Sequence, residues 1–159
     1  MKLNKLLTVC LALLALVSFS NCNSDDPEPS LEGLWAINEL SSTIDIINKN
    51  TMEVFVTTDC GFSSSTPSQS TLSTSRLRIN ADQTGNLNLD GNCVEVENFD
   101  FSWQLTDDNK LIMNEASGNS RTWNMTSLTA EEVTFNFATE TEGTNTINKT
   151  DYIMTFKRL

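Results

Sequence analysis

At 159 residues the chain is long enough for one domain with its own hydrophobic core. Its 21 Asp and Glu against 10 Lys and Arg give a formal charge of −11, which argues against nucleic acid, whose phosphates need cationic partners. Histidine is absent, which removes Ser-His-Asp and Cys-His catalysis, histidine-bound zinc and haem, and imidazole sensing of pH near neutrality.

The chain opens with Lys2 and Lys5 ahead of a mostly apolar run over residues 6–19. At about 14 residues the run is too short for a comfortable membrane span, which needs roughly 20, and it suits an export signal. Cys22 follows directly, and then Asn23, Ser24, Asp25, Asp26, Pro27, Glu28 and Pro29 begin a polar stretch. This arrangement is similar to the signal of a bacterial lipoprotein. The resemblance implies a signal peptide over residues 1–21, lipid on Cys22 as the mature N-terminus, and a flexible acidic tether over residues 22–31; ordinary secretion is the alternative. Losing residues 1–21 removes two cations and makes the domain more acidic still. That disfavours docking on anionic lipid by charge, so membrane association would come through the acyl anchor alone.

Of four cysteines, Cys10 leaves with the signal and Cys22 carries lipid, so Cys60 and Cys93 remain outside the cytoplasm, where disulfides persist. One bridge between them is the simplest arrangement. It would close a loop of about 33 residues and contribute roughly 3 to 4 kcal/mol on chain-entropy grounds. Two unpaired buried thiols are the alternative, and the spacing is unlike a Cys-x-x-Cys redox pair.

From Leu34 onward the dominant period is two, the mark of strands with one buried face. A first strand holds Trp35 and Ile37, and a second holds Met52, Val54 and Val56. Residues 41–50, with Ile44, Ile46 and Ile47, fit either a strand or a short helix. Further on, Leu77 and Ile79 alternate with Arg76 and Arg78; Leu87 and Leu89 with Asn86, Asn88 and Asp90; Val94 and Val96 with Glu95 and Glu97. The clearest run is Phe99, Phe101, Trp103 and Leu105, followed by Trp123 with Met125, then Val133, Phe135 and Phe137, and finally Tyr152, Met154 and Phe156. Turn residues separate these runs at 81–85, 90–92, 107–110 and 117–119. Strands at such spacing predict an all-β fold, a sandwich or a barrel of about eight to ten antiparallel strands. The polar stretch at 61–75 interrupts the rhythm and reads as a surface loop or as a lid whose base Cys60 anchors.

Leu31, Gly33 and Trp35, the 78–85 hairpin, the Phe101-x-Trp103-x-Leu105 strand with Asp107, Asp108, Asn109, Lys110 and Leu111, residues 128–133, and the closing Tyr152-x-Met154-x-Phe156-Lys157-Arg158 together resemble the lipocalin-like lipoproteins of Bacteroidota. The resemblance spans nearly all of residues 31–159. It implies a single up-and-down β-barrel over residues 32–159, with Gly33, Trp35 and Arg158 as its structural signature. Trp35 would plug the closed end and Arg158 would stack across its indole, a contact worth about 0.5 to 2 kcal/mol. Asp25 and Asp26 also look like the acidic signal that sends such lipoproteins to the outer face of the outer membrane.

Asn80, Asp82 and Thr84 superficially match the start of a calcium loop, but Gly91 stands where the bidentate Glu belongs, and a hairpin turn explains the same residues. Glu95 and Glu97 fall on the expected solvent face, the wrong setting for a general acid beside Asp100. No catalytic residue, metal or cofactor is therefore assigned, and the protein is expected not to be an enzyme. The aromatic set Phe101, Trp103, Trp123, Phe135, Phe137 and Tyr152 is the candidate lining of an apolar pocket, since small barrels either fill their interior or hold one small ligand. The leading expectation is a carrier or binder of a small hydrophobic molecule. The alternatives are an accessory or an inhibitor-type interaction lipoprotein with a filled barrel and an envelope protein partner.

Overall fold

The structure, a computed structural model, describes residues 28–63, 74–90 and 97–159. Cys22, Cys93, Val94, Glu95, Val96, the export segment and most of the 61–75 stretch lie outside them. The described residues form strands β1 (Gly33–Asn48), β2 (Val54–Ser63), β3 (Arg76–Ile79), β4 (Thr84–Leu89), β5 (Glu97–Leu105), β6 (Lys110–Glu115), β7 (Ser120–Leu128), β8 (Glu132–Glu142) and β9 (Thr146–Arg158). There is no α-helix among them.

Every pairing is antiparallel, and the sheet closes because β1 bonds β9 from Trp35↔Arg158 to Asn48↔Thr146. The opposite edge of β1 is shared: residues 33–36 pair with β3, and residues 39–47 pair with β2. β2 and β3 therefore lie end to end in one strand position. The circuit β1-β3-β4-β5-β6-β7-β8-β9 and back to β1 is an eight-stranded up-and-down barrel. Closure leaves no free edge around the lower part of the barrel, which removes the usual hazard of an exposed sheet edge.

Register decides what is inside. Trp35 faces Leu77, Leu77 faces Leu87, and Leu87 faces Phe99, so one row of apolar side chains crosses four strands on one face. With Leu111, Met113, Trp123, Val133, Phe135, Met154 and Phe156 they form a core that is closed to solvent except at partly buried Phe99. Most polar residues of the same strands point outward, as period-two alternation requires, while Ser42 and Thr150 are buried.

Toward the far end the wall opens. β8 pairs with β7 only through residues 133–136, whereas its pairing with β9 continues to Glu142. β2 pairs with β1 alone among the described residues. Beyond the closed barrel, β2-β1-β9-β8 thus continues as a four-stranded flap carrying exposed Met52, Val54, Phe55 and Val56.

Several local features differ from the sequence expectations. The ambiguous 41–50 stretch is strand through Asn48, with a register shift between Ile46 and Ile47 that breaks the alternation of isoleucines. Met52 is not in β2 but in the preceding turn, at φ 57°. Leu31, the last residue assigned to the tether, is 5 % exposed and belongs to the core. Glu97 is not on the solvent face: it pairs with buried Leu89, and its carboxylate is held by Arg121. Glu97 shares its side of β5 with Phe99 and Phe101.

Candidate functional site

The base of the barrel is built around Trp35, which is fully buried and donates its indole N–H to the Leu31 carbonyl at 2.9 Å. The Arg158 guanidinium lies over the indole with its carbon 4.1 Å from the ring centroid. Its nitrogens donate to the carbonyls of Ala130 (2.7 Å), Glu32 (2.6 Å) and Ser30. One side chain therefore ties the entering chain, the β7–β8 turn and the end of β9 together. Gly33 adopts φ +143°, and an added Cβ would stand 2.4 Å from Arg158 Nη1. This geometry gives Gly33, Trp35 and Arg158 a role in holding the base of the fold together.

The expected pocket residues divide into two groups. Phe101, Trp123 and Phe135 are 4, 1 and 0 % exposed, so no water-sized void lies against Trp123 or Phe135. Phe101 packs beneath Gly85, where a Cβ would approach its ring to 2.4 Å. Trp103 is half-buried near the base and donates its N–H to the Asn80 carbonyl at 3.1 Å. Phe137 and Tyr152 are also half-buried. Trp123 stacks on Phe137 at 4.6 Å and Phe137 on Tyr152 at 4.8 Å, a column of three near-parallel rings crossing β7, β8 and β9. Each such pair contributes about 0.5 to 1.5 kcal/mol beyond its burial.

Above this column is a polar cluster that the alternation did not reveal. Arg121 on β7 bonds Glu97 on β5 and Glu115 on β6 (3.0 Å), and its guanidinium carbon lies 4.4 Å from the Phe99 centroid. Burial acts to lower the Arg121 pKa, but the two carboxylates outweigh it and hold the guanidinium above its ordinary value. Burial acts to raise Glu115, yet hydrogen bonds from Ser117, Arg121 and Asn119 leave it below the ordinary carboxylate range. The cluster is a satisfied ion network, so it locks β5, β6 and β7 together and leaves no group poised for acid–base work.

On the outer surface a groove of about 860 Å³ runs across β3, β4 and β5. Arg76 and Arg78 stand on β3, Asn86 and Asn88 on β4, and Asp100 on β5, with Arg78↔Asn86↔Asp100 in one cross-strand row. Asn86 Nδ2 donates to Asp100 Oδ1 at 2.9 Å, which fixes the carboxylate in the floor. At one end Asp82 closes the β3–β4 turn by accepting from the Thr84 backbone N–H (3.0 Å) and hydroxyl (2.6 Å). Those bonds hold the Asp82 carboxyl below its ordinary pKa. The calcium-like residues are thus spent on the hairpin. No family model, curated protein or solved structure matches this chain.

Proposed function

We propose that the chain is a non-enzymatic envelope lipoprotein, held at the outer face of the outer membrane by lipid on Cys22, whose filled barrel is a platform for contacts made from outside. The observation that carries this reading is the closed packing of Trp123, Phe135 and Phe156 against one another, at 0 to 1 % exposure, where a carrier would need a void. The exposed apolar residues Met52, Val54 and Phe55 on the flap fit the same reading, since such patches commonly meet a protein partner. A Cys60–Cys93 bridge would join β2 to the β4–β5 connection and stiffen the edge that bears them.

A carrier of a small hydrophobic molecule is the second reading. It is favoured by the Trp123–Phe137–Tyr152 column, which rises from the buried core toward the open end and offers a flat apolar wall. Membership in the lipocalin-like lipoproteins, suggested by the Gly33, Trp35 and Arg158 arrangement, is compatible with either.

Native mass spectrometry of the protein gently extracted from its own membrane tests both readings. The expected result is a polypeptide bearing only an acyl mass on Cys22 and the loss of about two daltons for one disulfide. A retained adduct of a few hundred daltons would overturn the filled-barrel reading in favour of the carrier. Absence of any acyl mass would overturn the anchor.

A further inference from the structure

The charges of the described residues are not evenly committed. Lys49, Lys110, Arg121, Lys149 and Lys157 each form an ion pair, and Arg158 is fully engaged by backbone carbonyls and Trp35. Among the described residues Arg76 and Arg78 have no carboxylate within ion-pair distance and, unlike Arg158, no set of backbone carbonyls holding the whole guanidinium. They are adjacent on the outward face of β3, about 6.6 Å apart along the strand, and both line the outer groove. In a chain of net charge −11, two neighbouring arginines that form no ion pair are unexpected beside a lining rich in amides. Among the described residues Arg76 bonds the neighbouring Ser75 carbonyl, at 2.8 Å, with one nitrogen, so most of its fork is available to another acceptor.

We propose that this groove binds an acidic oligosaccharide, a sugar chain bearing carboxylates. Arg76 and Arg78 would take the carboxylates in charge-assisted, bidentate bonds. Asn86 and Asn88, each with donor and acceptor atoms, and the fixed Asp100 carboxylate would take the hydroxyls. A sugar chain is favoured over an acidic peptide because the lining is rich in amides and includes the acidic residues Asp100 and Glu115, which suits hydroxyls and repels a run of Asp or Glu. The volume, about 860 Å³, falls within the roughly 300 to 1,000 Å³ of small-ligand sites. The inference stands on charge placement outside the barrel, so its failure would leave the filled-barrel reading untouched.

The test is calorimetric titration of the full-length protein, extracted in neutral detergent, with oligogalacturonate of four to six units. Maltohexaose serves as the neutral control and a glutamate hexapeptide as the acidic peptide control. The expected result is saturable binding of oligogalacturonate alone, weakened at least about tenfold in Arg76→Gln/Arg78→Gln and weakened by added salt. Both arginines face outward, so the double variant should unfold at the same urea concentration as the parent. Asn86→Asp, which adds a second carboxylate to the row, should weaken binding while leaving both arginines in place. No binding of oligogalacturonate, equal binding of maltohexaose, tighter binding of the peptide, or undiminished binding by the double variant would each overturn the proposal.

Discussion

Gly33→Ala is the sharpest probe of the base. The residue sits at φ +143°, a region held almost only by glycine, where a side chain costs about 1 to 3 kcal/mol. The new Cβ would also stand 2.4 Å from Arg158 Nη1, so the guanidinium must leave its place. That sacrifices the contact with Trp35, about 0.5 to 2 kcal/mol, and the charged hydrogen bond to the Glu32 carbonyl, about 1 kcal/mol at this exposed site. The sum, about 2.5 to 6 kcal/mol, is a large part of a domain stability of roughly 5 to 15. It corresponds to a fall in Tm of about 10 to 24 °C. Urea unfolding followed by tryptophan fluorescence measures it, and a cycle with Arg158→Ala separates the parts. In the Arg158→Ala background the steric component vanishes and only the backbone cost should remain, giving a coupling of about 2 kcal/mol. A Gly33→Ala cost below about 1 kcal/mol, or additivity of the two substitutions within about 0.5 kcal/mol, would refute this reasoning.

Gly85→Ala should cost about 1 to 3 kcal/mol by overpacking, because its Cβ would meet the Phe101 ring at 2.4 Å and the Arg78 carbonyl at 2.6 Å; thermal melts of Gly85→Ala and Gly85→Ala/Phe101→Leu should show partial recovery in the double variant. Trp123→Ala removes a fully buried ring with three aromatic neighbours and should lose about 3 to 5 kcal/mol and most of the near-ultraviolet circular dichroism. Glu115 has a depressed carboxyl pKa, so its stabilisation is complete above its unfolded value near about 4.3 and is lost as pH falls through the lower folded value. Urea midpoints measured from pH 6 to pH 3 should therefore drop less in Glu115→Gln than in the parent. Cys60→Ser should lower stability by roughly 3 to 4 kcal/mol and make the protein indifferent to reductant, as denaturation with and without dithiothreitol would show.

The strands that the sequence announced are those whose alternation is unbroken, such as β5, where Phe99, Phe101 and Trp103 lie on one side and Asp100 and Ser102 on the other. β6 was hidden because Leu111, Ile112 and Met113 form a continuous apolar run in which the half-buried Ile112 faces outward. Length is the other obscured quantity. The far half of β1 carries isoleucines on both sides of a bulge, and no local pattern tells such a strand from one turn of helix. The base was legible because Gly33, Trp35 and Arg158 each perform an unusual task that few residue types allow. The outer groove was not, since Arg76, Asn88 and Asp100 are ordinary solvent-face residues along their own strands and become a site only through the register of three of them. The Arg121 network was obscured for the same reason, drawing Glu97 and Glu115 from separate strands.

The way the chain enters the barrel bears on how it resists being pulled. Tension applied through the N-terminal segment reaches the fold at Ser30 and Glu32, where the Arg158 fork grips both carbonyls. Past that grip it passes into β1, which is bonded to β9 over almost its whole length and to β3 and β2 along the other side. A pull along the axis of β1 loads those ladders sideways, so that many hydrogen bonds must fail together instead of peeling one by one. The entry point is accordingly loaded in shear and not by peeling, a geometry that would suit the proposed anchor on Cys22.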